Sequence, residues 1–242
     1  MQKSIRPTEA LRPERWLEHL NRHLPIARAG LNREGVHQVR VSAARLETYL
    51  RLAARRSLRD DLRWLRERAS AVRDLDVLLE RELPAPFAEW LVGERLVARA
   101  GLIEALESPR LRALLEGWRW VPELAREDAA ERRERLAVRA ERRAHRALDP
   151  KSGADAFHAV RRALRRLRYA DEWLGRDVDA LKALQESLGL LNDVSVARRL
   201  ACECPCASQL AEFLAAADRD LERRVARARL ELARHYRRKE KV

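Results

Sequence analysis

The chain has 242 residues, a hydrophobic content of 46%, 37% charged residues and a formal net charge of +13. That is apolar material enough for a core, under a surface that calls for an anionic partner. No apolar run approaches the length of a membrane span and none opens the chain, so neither a transmembrane segment nor a secretory leader is expected and the protein reads as soluble and cytoplasmic.

The elements read as helices throughout. A first helix begins near Thr8 or Pro13 and runs through Trp16, Leu20 and Leu24, with Pro25 in its last turns or at its end; residues 1 to 7 read as a frayed tail. Gly30 to Gly35 is a turn, and the His37 helix runs to about Arg56. A third helix starts at Asp60 or Asp61, acidic residues suited to a helix N-terminus, and breaks or bends near Ser70 before a further helix from Asp74 to Leu83. Pro84 and Pro86 punctuate, Phe87 to Leu106 forms a long helix, and Ser108-Pro109 opens a short one to Trp118. Pro122 opens a second half with a helix to about Leu148, and Asp149 to Gly153 is the clearest loop. A helix then runs to Leu174, the next from Asp177 to Leu190, and a short one from Asn192 to about Ala201. Gly189 reads as a point of close helix approach or a kink. A long final helix starts at Ala207 and ends in the solvated run Arg237 to Lys241.

The stretch Phe157 to Trp173 organises the rest. At about 100° per residue, Val160, Ala163, Leu164, Leu167, Ala170 and Leu174 share an apolar side. His158, Arg161, Arg162, Arg165 and Tyr169 share the other, with Arg166 and Arg168 on its shoulders. Arginines repel one another along such a ridge unless an anion lies across them. An offset of 121 residues aligns His37 with His158, Arg40 with Arg161 and Arg45 with Arg166; an offset of 119 aligns Arg63 with Lys182, Asp74 with Asp193 and Val77 with Val196. The chain is a tandem duplication, one domain with repeats over about 8–118 and 122–240.

The pattern His-x-x-Arg, a basic cluster, then Arg-Asp-x-Asp-Val resembles the first half of a CHAD domain, the conserved-histidine α-helical domain. His158-x-x-Arg161, Arg165-Arg166-Leu167-Arg168-Tyr169, Leu188-Gly189 and Asn192-Asp193 resemble its second half. One departure is Ala44, where the family has a basic residue that Arg165 supplies in the second half. The resemblance implies an all-α fold of two four-helix bundles related by a pseudo-twofold axis, with the His helices lining a central basic pore or groove. It implies binding of inorganic polyphosphate and association with polyphosphate granules. The expected binding set is His37, Arg40, Arg45, Arg51 and Arg63 from one half, and His158, Arg161, Arg162, Arg165, Arg166, Arg168, Tyr169 and Lys182 from the other.

The residues themselves agree with a phosphate partner. There are 46 arginines against five lysines, and the planar guanidinium fork takes phosphate oxygens in pairs. The two histidines lack a carboxylate or cysteine at ligand spacing, so no metal or other cofactor is expected. Asp74, Asp76 and Asp193 read as structural partners of arginines rather than as acid–base groups. Cys202, Cys204 and Cys206 form C-x-C-P-C without a fourth ligand and read as reduced thiols in a turn. The competing readings are a non-specific nucleic-acid binder and a phosphoanhydride hydrolase. The basic face offers only Tyr169 as a stacking ring, which argues against nucleic acid. The hydrolase lacks a P-loop or an alternating Glu-x-Glu-x-Lys strand, so the chain reads as a binding protein with no catalytic residues.

Overall fold

The computed structural model describes residues 10–30 and 32–239, the last two by their backbone alone. The helix start at Thr8, the N-terminal tail and the end of the basic run lie outside the described residues. The rest is helical: α1 (Glu14–Ala29), α2 (Arg33–Leu52), α3 (Arg59–Leu78), α4 (Ala85–Glu107), α5 (Pro109–Gly117), α6 (Arg126–Leu148), α7 (Ala154–Trp173), α8 (Asp179–Glu203) and α9 (Ala211–Lys239). Short 3-10 turns cover Trp118–Trp120 and Ala207–Gln209. Among the described residues the one β feature is an isolated bridge between Leu11 and Leu124. No described helix is long and apolar enough to cross a membrane.

Local chemistry sets the helix ends. The Asn32 side chain accepts a hydrogen bond from the Gly35 backbone N–H at 3.1 Å and caps α2. Ser108 caps α5 by accepting from Leu111 N–H at 3.2 Å, with Pro109 at the first helical position, where its missing N–H costs nothing. α1 contains Pro25 and ends at Gly30, whose φ of 71° is left-handed. Gly35 is required for a different reason. A Cβ there would lie 2.6 Å from the Ala27 backbone nitrogen, so α1 and α2 cross in near backbone contact.

Two expected breaks do not occur. α3 runs through Ser70 and α8 runs through Gly189 without interruption. A serine or glycine costs a helix at most about 1 kcal/mol, while Leu188, Leu191 and Val194 of α8 stay buried only if one helix carries them. A Cβ at Gly189 would meet nothing within 4 Å, so no close helix approach explains that glycine.

The chain forms two compact units, each drawing on both halves of the sequence. The first comprises the described residues of Met1–Ala71, with Arg99–Arg135 and Tyr169–Asp177; the second comprises Val72–Ala98, Leu136–Arg168 and the described residues of Val178–Val242. In the first unit, Tyr49 is fully buried and its hydroxyl donates to the carbonyls of Leu11 (2.9 Å) and Pro122 (3.2 Å). Burial pushes its pKa up to about 12, so the phenol stays a donor at any ordinary pH. In the second unit one core gathers Phe157, Val160, Leu164 and Leu167 of α7 with Leu181, Leu184 and Leu188 of α8, Ala140 and Ala144 of α6 and Leu232 of α9. Each large side chain contributes about 1.5–3 kcal/mol by leaving water. A second core joins Phe87 and Leu91 of α4 to Leu75, Leu78, Ala197 and Ala201.

Candidate functional site

In the first unit, α2 presents a stripe. Arg33, His37, Arg40, Glu47 and Arg51 recur at helical spacing on one face, and Ala44 occupies the gap where a basic residue was expected. The carboxylate of Glu47 is buried, accepts from Arg51 Nη2 at 2.5 Å and forms an ion pair with Arg66 of α3, whose Nε lies 3.5 Å away without making a hydrogen bond. Arg59 joins them. Its own burial and then the Arg51 charge lower its pKa, an effect Glu47 partly offsets. Arg63 pairs with Asp60 at 2.8 Å. Four guanidinium groups therefore surround two carboxylates. The buried Nε atoms of Arg40, Arg51, Arg59 and Arg66 have no hydrogen-bond acceptor among the described residues, and an unsatisfied buried donor is costly.

Arg45 belongs elsewhere. It lies about 140° round α2 from Arg40, with its Nε donating to Glu172 at 2.8 Å. Its guanidinium sits 4.2 Å from the Trp16 ring centroid and 4.5 Å from that of Tyr169. Trp173 Nε1 donates to the Arg45 carbonyl at 3.1 Å. Arg45 and the buried Tyr169 thus form a packed clamp with Trp16 and Glu172, separate from the α2 stripe. Beside it, His19 Nδ1 lies 2.9 Å from Ser42 Oγ, which itself donates to the Gln38 carbonyl. The imidazole must therefore carry its proton on Nδ1. Burial, then the neighbouring His23, Arg22, Arg45 and Arg15, lower the His19 pKa and keep it neutral.

In the second unit, His158, Arg161, Arg165 and Arg168 follow one another along α7, with Arg162 exposed on the flank and Arg166 half-buried. Burial lowers the His158 pKa; Asp155 and the Asn192 side chain oppose this, while Arg161 and Arg162 add to it. The link to Asn192 turns this face toward α8. There Asn192 and Asp193 line a small cleft with Asp74, Val77, Arg81 and Val196. Asp74 and Asp193, and Val77 and Val196, which the 119-residue offset sets against one another, line the same cleft. Arg81 reaches Asp193 at 3.5 Å, and buried Asp76 receives Arg95 Nε at 2.6 Å. These carboxylates hold arginines, as their sequence context suggests. Lys182 pairs with Asp179 at 3.0 Å on the exposed side of α8.

The sequence reading missed Arg59, Arg66, Glu47, Trp16 and His19. Arg59, Arg63 and Arg66 stand at i, i+4 and i+7, a spacing that marks one helix face and could have found the first two. Nothing local marks Trp16 as a neighbour of Arg45. The cysteines also differ from expectation: Cys204 and Cys206 form a disulfide, leaving Cys202 exposed and free. Pro205 bends the chain so that the two Cα atoms come within 5.1 Å, inside disulfide range. Among the described residues no group of three or more His, Cys, Asp or Glu is placed to hold a metal ion.

An all-helical protein with a duplicated His-x-x-Arg helix and arginine-rich stripes is a narrow class. The family model of the CHAD domain matches residues 14–202, and the chain belongs to that family. Among solved structures it is similar to the CHAD domain from the plant Ricinus communis, 28% identical over 91% of this chain and 89% of that one, with a TM-score of 0.70. It shares its fold with PptA from Streptomyces chartreusis, 20% identical over 93% of this chain and 96% of the other, with a TM-score of 0.75. No curated protein matches the chain.

Proposed function

We propose that the chain binds inorganic polyphosphate without cleaving it and that this binding takes it to polyphosphate granules. The first unit would contribute His37, Arg40, Arg51, Arg59, Arg63 and Arg66, with the Arg45–Tyr169 clamp fixing α2 from its other side. The second would contribute His158, Arg161, Arg162, Arg165, Arg166, Arg168 and Lys182. The observation that carries the reading is the cluster about Glu47, where guanidinium groups outnumber carboxylates and buried Nε donors lack acceptors. Phosphate oxygens are the acceptors such donors fit best. Release of counterions from a polyanion adds affinity that falls with salt. The carboxylates nearby hold arginines rather than converge on an open position, which favours binding over phosphoryl transfer.

The test is a competition at fixed salt. Labelled polyphosphate bound to the protein is challenged with unlabelled polyphosphate, duplex DNA and single-stranded RNA at equal phosphate concentration. Polyphosphate should displace the label at the lowest concentration, and no orthophosphate should appear with magnesium present. Displacement by either nucleic acid at an equal or lower concentration would replace this reading with a nucleic-acid binder. Orthophosphate release by homogeneous protein would make it an enzyme.

A further inference from the structure

α6 changes character half-way. Its first half balances its charges: Arg132 pairs with Asp128 at 3.2 Å and Arg133 with Asp171 at 2.7 Å, while Arg135 pairs with Glu131. From Arg139 onward the balance stops. Arg139, Arg142, Arg143 and Arg146 stand at i, i+3, i+4 and i+7, so they share one face for about two turns, or about 10 Å. Three are exposed and Arg143 is half-buried, and none meets a carboxylate among the described residues. Glu141 points away from them and lies 3.9 Å from His145. The opposite face of this segment, Ala140, Ala144 and Ala147, is buried in the core, so the stripe faces outward.

Like charges at these spacings destabilise a helix. Attraction to the negative C-terminal end of the helix accounts for Arg146, which lies in the last turn. It does not reach Arg139 and Arg142. Nor is the stripe a copy of the duplicated site: at the 121-residue offset its positions correspond to Glu18, Asn21, Arg22 and Pro25. α6 also supplies no residue to the cleft beside His158 and Asn192.

We infer that α6 carries a second, independent polyanion track and that it seats a second polyphosphate chain, so that one protein molecule bridges two chains. This rests on the polyphosphate reading proposed above. The track offers guanidinium groups and no aromatic ring on its face, which suits bare phosphate rather than stacked bases.

The experiment mixes donor-labelled and acceptor-labelled short polyphosphate with the intact chain and with R139A/R142A/R143A/R146A. Alanine is the best helix former, so α6 persists in the variant, and circular dichroism checks it. Wild-type protein should bind two chains per molecule and give energy transfer between labels. The variant should keep one chain with unchanged affinity and lose the transfer. The second wild-type binding event should show a logarithmic salt slope of about 3 for four phosphate contacts. One chain per wild-type molecule would overturn the inference while leaving polyphosphate binding intact. Energy transfer retained by the variant would also overturn it, by placing the bridge elsewhere. Duplex DNA filling the second site ahead of polyphosphate would assign the track to nucleic acid and overturn it too. No binding of either label would remove the polyphosphate reading itself, and the inference with it.

Discussion

Arg133 holds Asp171 with two parallel hydrogen bonds, Nε to Oδ1 at 2.7 Å and Nη2 to Oδ2 at 2.9 Å, around a carboxylate only 2% exposed. That pairing, with the nearby Glu134, raises the pKa of Arg133 although its own burial works against it. Arg176 adds a further contact to Glu134 at 3.1 Å. Removing Asp171 takes away the buried bidentate partner and leaves Arg133 with only the exposed Glu134, 3.1 Å from its Nη1. Asp171→Ala should therefore destabilise the protein by about 3–5 kcal/mol, measured by urea unfolding. A loss below about 1 kcal/mol, the size of a surface pair, would mean that water reaches Arg133.

Glu47 gives a prediction in which stability and affinity move in opposite directions. Glu47→Gln removes the negative charge among Arg51, Arg59 and Arg66 and should lower stability by about 1–3 kcal/mol. The same change raises the local positive charge, so polyphosphate should bind more tightly and recover more of the melting temperature than in the wild type. Parallel losses of stability and affinity would show that Glu47 positions the arginines for the anion.

The clamp around Arg45 should behave as packing. Arg45→Lys keeps the charge but loses the planar group held between Trp16 and Tyr169. It should cost about 1–2 kcal/mol of stability, the scale of a desolvated cation–π contact. A polyphosphate affinity that falls by more than tenfold, about 1.4 kcal/mol, in folded R45K would return Arg45 to the binding surface.

How much could be read in advance differs between fold and site. The helix ends at Ser108-Pro109, Gly30 and Asp149 to Gly153 carry their own chemistry, and they fall where the residues place them. The continuity of α3 and α8 does not show locally, because Ser70 and Gly189 signal a break whose small cost is outweighed by distant packing partners. In the candidate site, Arg63 stands on the internal repeat, matched by Lys182 at the 119-residue offset, whereas Arg51 does not, since the 121-residue offset sets it against Glu172. Arg59 and Arg66 escaped the repeat because their counterparts at the 119-residue offset are Val178 and Gln185. The Arg45 clamp joins residues more than a hundred positions apart, and no spacing rule reaches that far.

Proton linkage follows from the lowered pKa of His158, whose main cause is burial, with Arg161 and Arg162 adding to it. In the free protein the imidazole therefore gives up its proton more readily than an ordinary histidine. A bound phosphate raises its pKa, so binding takes up a proton. Affinity should then rise as pH falls through the bound-state pKa and level off below the free-state one. The slope is at most about one logarithmic unit of Kd per pH unit for each histidine. His158→Gln should flatten the profile, and an unchanged profile would put the phosphate away from this residue.

The measurement closest to the central claim compares two pairs of arginines at matched salt. Arg161 and Arg165 lie along α7 beside His158; Arg219 and Arg237 are exposed on α9. Both double alanine variants remove the same formal charge. Charge-assisted hydrogen bonds contribute about 1.5–3 kcal/mol each, so R161A/R165A should weaken polyphosphate binding by about 3–5 kcal/mol. R219A/R237A should cost less than about 1 kcal/mol, through the general field alone. Equal losses from the two pairs would contradict the account, leaving a diffuse +13 charge and no site.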